Sequence, residues 1–253
     1  MNISQLFILQ LIAHLLADFN FQSDSWARHK RRFGFGSKTL NWHILIVFIF
    51  SWVLSLELKY VMVSVSIALL HWLIDGFKPK FVKIKGVETR IFFIDQVLHL
   101  MAISGIVLLF NYFFNNNSNF QNSSETYNLL IILGFLVCTK PANIIIKEVL
   151  RLYKISFVEK DGILKAGSLI GIIERILTLT LILIGQFGAV GFILAGKSIL
   201  RYKEGETKRM EYVLIGTLLS FGIAIMLGIC LTSVKTLFFK GQIECPYYHF
   251  HLG

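Results

Sequence analysis

The sequence predicts an all-α fold, a polytopic bundle of about seven transmembrane helical segments. Of the 253 residues, 55% are hydrophobic and 16% are charged, whereas a soluble domain has about 25% charged residues. Apolar runs recur along the chain, and most have the roughly 17–25 residues that a helix needs to cross a bilayer. The chain contains only three prolines, which suits long helices because proline breaks them. We therefore expect an integral membrane protein.

Six apolar runs have the length of single spans, and they fall near residues 3–21, 41–57, 60–77, 91–113, 127–147 and 211–234. A longer run extends from about residue 167 to residue 200. The sequence Gly185-Gln186-Phe187-Gly188 interrupts this run, and glycine favours a break in a helix. We expect a re-entrant hairpin of two short helices there, with a single tilted helix as the alternative.

The distribution of charge predicts the orientation of the bundle. Lys and Arg concentrate in residues 28–38, 78–90, 147–165 and 197–209, whereas the loops on the other side hold few charges. Because cytoplasmic loops of membrane proteins are enriched in Lys and Arg, these loops should be cytoplasmic and the N-terminus should lie outside. Topology therefore accounts for the net charge of +10, and we expect no nucleic-acid partner.

Histidine and aspartate recur inside the first four predicted spans at one common depth. The first and third spans each carry a His-x-x-x-Asp pair, the fourth carries the reversed order, and the second begins with a histidine. Ionisable groups inside a membrane are costly, so they usually face the bundle interior and have partners. We call these residues the His/Asp layer: His14, Asp18, His43, His71, Asp75, Asp95 and His99.

These residue types predict a metal site. Imidazole nitrogens and carboxylate oxygens bind divalent metals, with zinc as the first expectation. Two ligands four residues apart share one face of a helix, and neighbouring helices can complete the site. Seven ligands exceed one tetrahedral zinc, so either two metals bind or some aspartates orient the histidines. Four further residues are expected to support the ligands: Gln22, Gln96, Glu174 and Arg175.

Three functions remain open at this point. A bound metal lowers the pKa of its water and polarises a carbonyl or phosphoryl oxygen, which predicts a hydrolase acting on a lipid or another amphiphile at the cytoplasmic side. The same residue types can relay protons or cations in a transporter. They can also simply hold helices together in a non-catalytic scaffold. We expect residues 1–114 to form the core that carries the layer and residues 115–253 to pack around it.

Several segments resemble a bacterial membrane-protein family catalogued as domain of unknown function 3307. They are residues 14–19, Gln22, residues 26–30, Trp42-His43, residues 71–75, residues 95–99, residues 191–201 and residues 211–217. The resemblance implies a multi-pass protein of the bacterial inner membrane and brings no activity with it. The His-x-x-x-Asp spacing alone is similar to that of predicted membrane-bound metal-dependent hydrolases.

Overall fold

The computed structural model describes residues 1–55, 57–82, 88–114, 123–155, 163–201 and 207–239. This part of the chain is helical apart from short turns, which confirms the all-α class. Parts of three predicted basic loops, at 83–87, 156–162 and 202–206, lie outside the described residues. The α-helices of the described residues are α1 (Ile3–Leu15), α2 (Asp24–Phe33), α3 (Lys38–Ser55), α4 (Val61–Val82), α5 (Glu88–Phe114), α6 (Ser123–Val137), α7 (Lys140–Leu152), α8 (Ile163–Leu183), α9 (Phe187–Arg201) and α10 (Thr207–Phe239).

Several of these helices are suited to a membrane. Five segments are long and apolar enough to cross one: Ile3–Asn20, Lys38–Ser55, Leu58–Lys80, Thr89–Phe114 and Glu211–Phe238. The bent pair of α6 and α7 makes a sixth if it is counted as one span. The first four spans and the last predicted span are therefore confirmed as apolar helices of membrane length.

The predicted span at 127–147 is wrong as a single continuous helix. The chain breaks at Cys138 and Thr139, and the axes of α6 and α7 differ by 48°. Pro141 explains the break, because proline lacks the N–H that a continuous helix would need there but is tolerated in the first turn of a new helix. Lys140 therefore begins α7, where its Nζ donates to the backbone oxygen of Asn20 at 3.4 Å.

The predicted turn between two antiparallel helices is confirmed, whereas the re-entrant character of the hairpin stays a prediction. Helix α8 ends at Leu183 and α9 begins at Phe187, and Gly185 between them has a φ of +78°, a conformation that glycine adopts readily. Lys197 on α9 forms an ion pair with Glu174 on α8, which requires α9 to fold back along α8 and excludes the single tilted helix. With 21 residues, α8 is about 31 Å long, so only the second arm is short.

Two apolar clusters hold the helices together. The first lies among α1, α3, α4 and α5 and includes Leu6, Val47, Val63 and Ile103. The second joins α6, α8 and α10 through Leu179, Ala224 and Leu231, with Cys138 beside them. Helix α6 packs on both α1 and α10, so it links the two groups of helices. The proposed division at residue 114 stays a prediction.

The contact between α8 and α10 depends on Gly228. A Cβ atom added there would lie 2.6 Å from Cγ2 and 2.9 Å from Cβ of Ile182. We predict that Gly228→Ala destabilises the protein by about 1–3 kcal/mol through overpacking. Gly222 is the matched control on the same helix, because nothing lies within 4 Å of its added Cβ, and Gly222→Ala should be neutral or stabilising by about 0.5–1 kcal/mol. Unfolding in detergent measures both, and equal stabilities would contradict the close contact.

Candidate metal centre

Asp18 reaches the layer because α1 changes its winding. After Leu15 the helix continues as a π-helix over Leu16–Asn20, in which the N–H of Phe21 donates to the backbone oxygen of Leu16 at 2.9 Å. Such wider turns are rare and occur frequently at functional sites. Asp18 lies in the middle of this turn, and its carboxylate faces histidines from α3 and α4.

The four histidines of the layer meet between α1, α3, α4 and α5. The ring centroids of His71 and His99 are 3.9 Å apart, and those of His43 and His71 are 5.1 Å apart. The His14 ring lies 5.3 Å from that of His99 and 5.7 Å from that of His71. All four residues are at most 4% exposed. The predicted convergence is confirmed, whereas the role of these residues as metal ligands stays a prediction.

Three donor atoms form a small triangle at the centre of the layer. The Nε2 atoms of His43 and His71 are 3.1 Å apart. Each of these nitrogens lies 3.3 Å from Oδ1 of Asp18. A third histidine approaches the same oxygen, with His14 Nδ1 at 3.7 Å. These four residues bring three nitrogens and one oxygen from α1, the π-helical turn, α3 and α4 to one point.

Asp75 and Asp95 are bound by lysines. Lys30 Nζ donates to Oδ2 of Asp75 at 2.5 Å, and this oxygen is also 3.7 Å and 3.6 Å from Nε2 of His43 and His71. Lys78 Nζ donates to Oδ2 of Asp95 at 2.6 Å and lies 3.7 Å from Oδ1 of Asp75. Both aspartates therefore have an ammonium partner, whereas Asp18 is faced by imidazoles.

Several buried polar atoms of the layer have no hydrogen-bond partner in the part of the chain that the structure describes. They are Nδ1 of His14, Oδ1 of Asp18, Nδ1 of His43 and Nε2 of His99. The ring of His99 donates from Nδ1 to the backbone oxygen of Asp95 at 2.9 Å. Since that carbonyl can only accept, a neutral His99 has its lone pair at Nε2. Buried polar groups of this kind are normally paired with protein, water or a ligand.

The described residues contain three overlapping groups whose atoms could hold a metal ion, with ligand atoms within 4.8 Å of one another. The groups are His14 with Asp18 and His71, His43 with His71 and Asp75, and Asp75 with Asp95 and His99. Every residue of the layer belongs to at least one group. In the third group the ammonium of Lys78 already contacts both carboxylates, so this group has a cation of its own.

The four residues expected to support the ligands are found in different places. Gln96 contacts the layer, with its Oε1 3.4 Å from Nε2 of His14. Gln22 has a buried Oε1 without a hydrogen-bond partner among the described residues. Glu174 forms an ion pair with Lys197 on α9. Arg175 donates to the backbone oxygens of Cys138 and Thr139 and to the side chains of Asn143 and Ser220, so both residues make these contacts among the C-terminal helices.

Lys30 and Lys78 are the residues that sequence reasoning missed. The distribution of Lys and Arg in the sequence assigns both to basic loops that set the topology. Lys78 carried a usable signal, because it lies three residues after Asp75 and such residues are neighbours on a helix. The sequence around Lys30 gave no comparable signal, because the neighbouring Arg28, Arg31 and Arg32 are equally basic. Only the packing of α2 beside α4 distinguishes it.

The helices and the layer define the class of protein: a polytopic helical membrane protein with a buried His/Asp site. Residues 6–131 match the model of a family described as "Protein of unknown function (DUF3307)", and this half of the chain belongs to that family. The match includes every residue of the layer and confirms the family resemblance of the N-terminal segments, whereas residues 191–201 and 211–217 lie outside it. No curated protein and no solved structure matches the chain. The likeness to membrane-bound hydrolases stays a prediction.

The ion pair between Lys30 and Asp75 yields a test of the layer. Lys30→Met leaves a buried carboxylate without its cation, and breaking such a pair typically costs about 3–5 kcal/mol. Adding Asp75→Asn removes the unpaired charge, so the double variant should regain most of the lost stability. Lys38→Met, at an exposed position, is the control and should change stability by less than about 0.5 kcal/mol. Unfolding in detergent distinguishes the variants, and equal effects at positions 30 and 38 would contradict the buried pair.

Proposed function

We propose that this protein is a metal-dependent hydrolase of the membrane, with one zinc ion held by Asp18, His43 and His71, and a lipid or another amphiphile as its substrate. The observation that carries the proposal is the triangle of donor atoms, with separations of 3.1, 3.3 and 3.3 Å. Ligand atoms of a tetrahedral zinc with bonds of about 2.0–2.1 Å lie about 3.3–3.4 Å apart. The triangle therefore has the dimensions of one face of such a site.

The charges of the layer also favour a metal at this position. The layer and its lysines comprise three carboxylates, two ammonium groups and four imidazoles, which are neutral when they bind a metal. One negative charge is therefore left uncompensated in a membrane interior, where an unpaired charge is costly. Within the described residues, Asp18 is the carboxylate of the layer that forms no ion pair with a lysine, and the donor triangle includes its Oδ1. A divalent cation at the triangle would remove this negative charge.

A catalytic role needs a coordination position for water and a base for its proton. Zinc bound by three protein ligands keeps a fourth position for water, whose pKa it lowers towards neutrality. His14 approaches the triangle from α1 and would either fill this position or orient the water. His99 presents the lone pair of its Nε2 beside the ring of His71, so His99 can accept the proton. Lys30 and Lys78 place positive charge where an anionic transition state would form.

The location follows from the orientation of the basic residues. We place the protein in the bacterial inner membrane with its N-terminus outside, because α2 and the loops near it carry the excess of Lys and Arg. The layer then lies at the cytoplasmic side of the bilayer. Arg28, Arg32 and Phe33 are exposed on α2, and Phe35 is exposed in the turn that follows it. This combination suits the headgroup region, where a lipid substrate presents its ester bonds.

A relay for protons or cations is the second candidate, because a second polar cluster lies deeper in the same helices. Gln10 donates from Nε2 to Oγ of Ser55 at 2.8 Å, and Ser51 donates to Oε1 of Gln10 at 2.5 Å, with its Oγ 2.9 Å from that of Ser64. Between this cluster and the layer lie apolar residues of the core, including Val47, Ile67 and Ile103. This apolar barrier favours the hydrolase over a continuous pathway.

The relay makes a separate prediction. If the two polar clusters form a pathway, purified protein in liposomes should carry protons or cations down a gradient, and Ser51→Val should reduce the flux at least fivefold. We expect no flux above that of empty liposomes, because the apolar barrier separates the two polar clusters. A pH-sensitive dye and a cation-sensitive dye inside the liposomes measure the two species. A flux that Ser51→Val abolishes would replace the hydrolase proposal by the relay.

Metal analysis tests the hydrolase proposal most directly. We expect protein purified without chelators to contain about one zinc per chain, and His43→Ala and His71→Ala to lose at least nine-tenths of it. His29→Ala is the matched control, because His29 contacts Ser37 outside the layer and should leave the metal content unchanged. Unfolding in detergent shows that the variants fold.

Two results would contradict this proposal. Wild-type protein without stoichiometric metal, after purification in the presence of zinc, would remove the metal site. Equal metal content in His71→Ala and His29→Ala would place the metal elsewhere. In either case the layer would remain an arrangement of hydrogen bonds that holds α1, α3, α4 and α5 together.

A further inference from the structure

The His/Asp layer is most accessible at Asp18 and at the neighbouring Lys78, whereas Lys30 is buried. The side chains of His43 and His71 are 0% and 2% exposed, whereas those of Asp18 and Lys78 are 9% and 18% exposed. A ligand that approaches from the membrane surface therefore meets an ammonium group and the carboxylate of the donor triangle first. We therefore call the side of the layer at Asp18 and Lys78 its open side, and the side at His43 and His71 its closed side.

Further polar groups surround this open side. Lys140 is exposed, and its Nζ contacts the backbone oxygen of Asn20 at the end of the π-helical turn that carries Asp18. The side-chain oxygens of Asn20 and Gln22 are buried and lack a hydrogen-bond partner among the described residues. Buried polar atoms of this kind are normally satisfied by water or a ligand. The opening is therefore polar, with a cation at its rim.

The charge of the site changes sign when a divalent metal binds. Without metal, three carboxylates and two ammonium groups leave one negative charge, as argued above. With one divalent cation, the same groups leave one positive charge. A net charge buried at the edge of a membrane is costly unless it is paired. The metal-loaded site should therefore bind an anion with a single negative charge.

We propose, on the basis of the metal site of the proposed function, that the substrate class is a phosphodiester, such as the headgroup linkage of a phospholipid. A phosphodiester carries one negative charge and so neutralises the loaded site. Its two non-bridging oxygens match two positive partners, the metal at the donor triangle and the ammonium of Lys78. Lys30 donates to Oδ2 of Asp75 and holds that carboxylate in place.

The apolar surroundings agree with a lipid as the carrier of this group. Phe21, at the end of the turn that carries Asp18, is 57% exposed. The exposed basic residues of α2, among them Arg28 and Arg32, give the same membrane surface a positive charge, which attracts anionic headgroups. A water-soluble phosphodiester would gain nothing from the exposed apolar side chains. An acyl chain in the bilayer would instead keep its headgroup at the level of the layer.

Binding to the cobalt-loaded protein tests the proposal. Cobalt takes the place of zinc and gives an absorption spectrum that changes when a ligand binds near it. The probes are dihexanoyl phosphatidylglycerol, dihexanoylglycerol without the phosphate, and hexanoate. We expect the phosphodiester lipid to shift the spectrum and to bind at least tenfold more tightly than the other two. Lys78→Gln should weaken this binding at least tenfold, whereas the exposed control Lys80→Gln should stay within twofold.

A second variant guards against misfolding of Lys78→Gln. The double variant Lys78→Gln with Asp95→Asn removes both members of the ion pair, so no buried charge is left unpaired. It should keep its metal and its fold and still bind the lipid at least tenfold more weakly. Metal content and unfolding in detergent are measured on each variant.

The outcomes separate the two proposals. Metal-loaded protein whose spectrum does not respond to the phosphodiester lipid overturns the substrate class and leaves the metal site intact. Equal binding of hexanoate overturns the preference for phosphate. Unchanged binding in both Lys78 variants overturns the role of the lysine. Wild-type protein that takes up neither zinc nor cobalt overturns the metal site and this inference together.

Discussion

The rest of the structure depends on neutralising three carboxylates that lie between apolar helices. Asp75 and Asp95 are neutralised by Lys30 and Lys78, and these lysines fix the positions of two elements. Lys30 brings α2 against α4, and Lys78 joins α4 to α5. Asp18 has no such partner, and the π-helical turn points it at the histidines instead. The two kinds of neutralisation divide the layer into a part held by ion pairs and a part suited to a metal.

The sequence predicted this layer because its residues follow helix periodicity. His71 and Asp75 lie one turn apart, and a membrane span leaves them no inexpensive surroundings except a bundle interior. The lysines were not predicted, because a basic residue beside a span is equally well explained by topology. The π-helical turn was not predictable either, since Leu16–Asn20 differs from the rest of α1 in its hydrogen bonds rather than in its apolar character. The local sequence pattern thus identified the residues of the His/Asp layer but not the lysines that pair with its aspartates.

The C-terminal helices show the same limit of prediction from local sequence pattern. Gly185 marked the turn of the hairpin correctly, because glycine readily adopts the positive φ found there. The fifth span was predicted to be continuous although it contains Pro141. Arg175 explains how that break is tolerated. Its guanidinium donates to the backbone oxygens of Cys138 and Thr139, which lie where the break leaves carbonyls without helical partners. No pattern in the sequence joins positions 37 residues apart.

The distance between His43 and His71 makes the layer sensitive to whether a metal is bound. At 3.1 Å, their Nε2 atoms can share one proton in an N–H···N hydrogen bond or bind one metal, but two lone pairs alone would repel. Asp18 Oδ1 faces both nitrogens and can accept a hydrogen bond from both only if each ring carries its proton on Nε2, an arrangement that excludes the hydrogen bond between the two rings. A metal at the triangle satisfies all three atoms together. It would leave Nδ1 of each histidine as the protonated nitrogen, and the buried Nδ1 of His43 would then be the donor that still needs a partner.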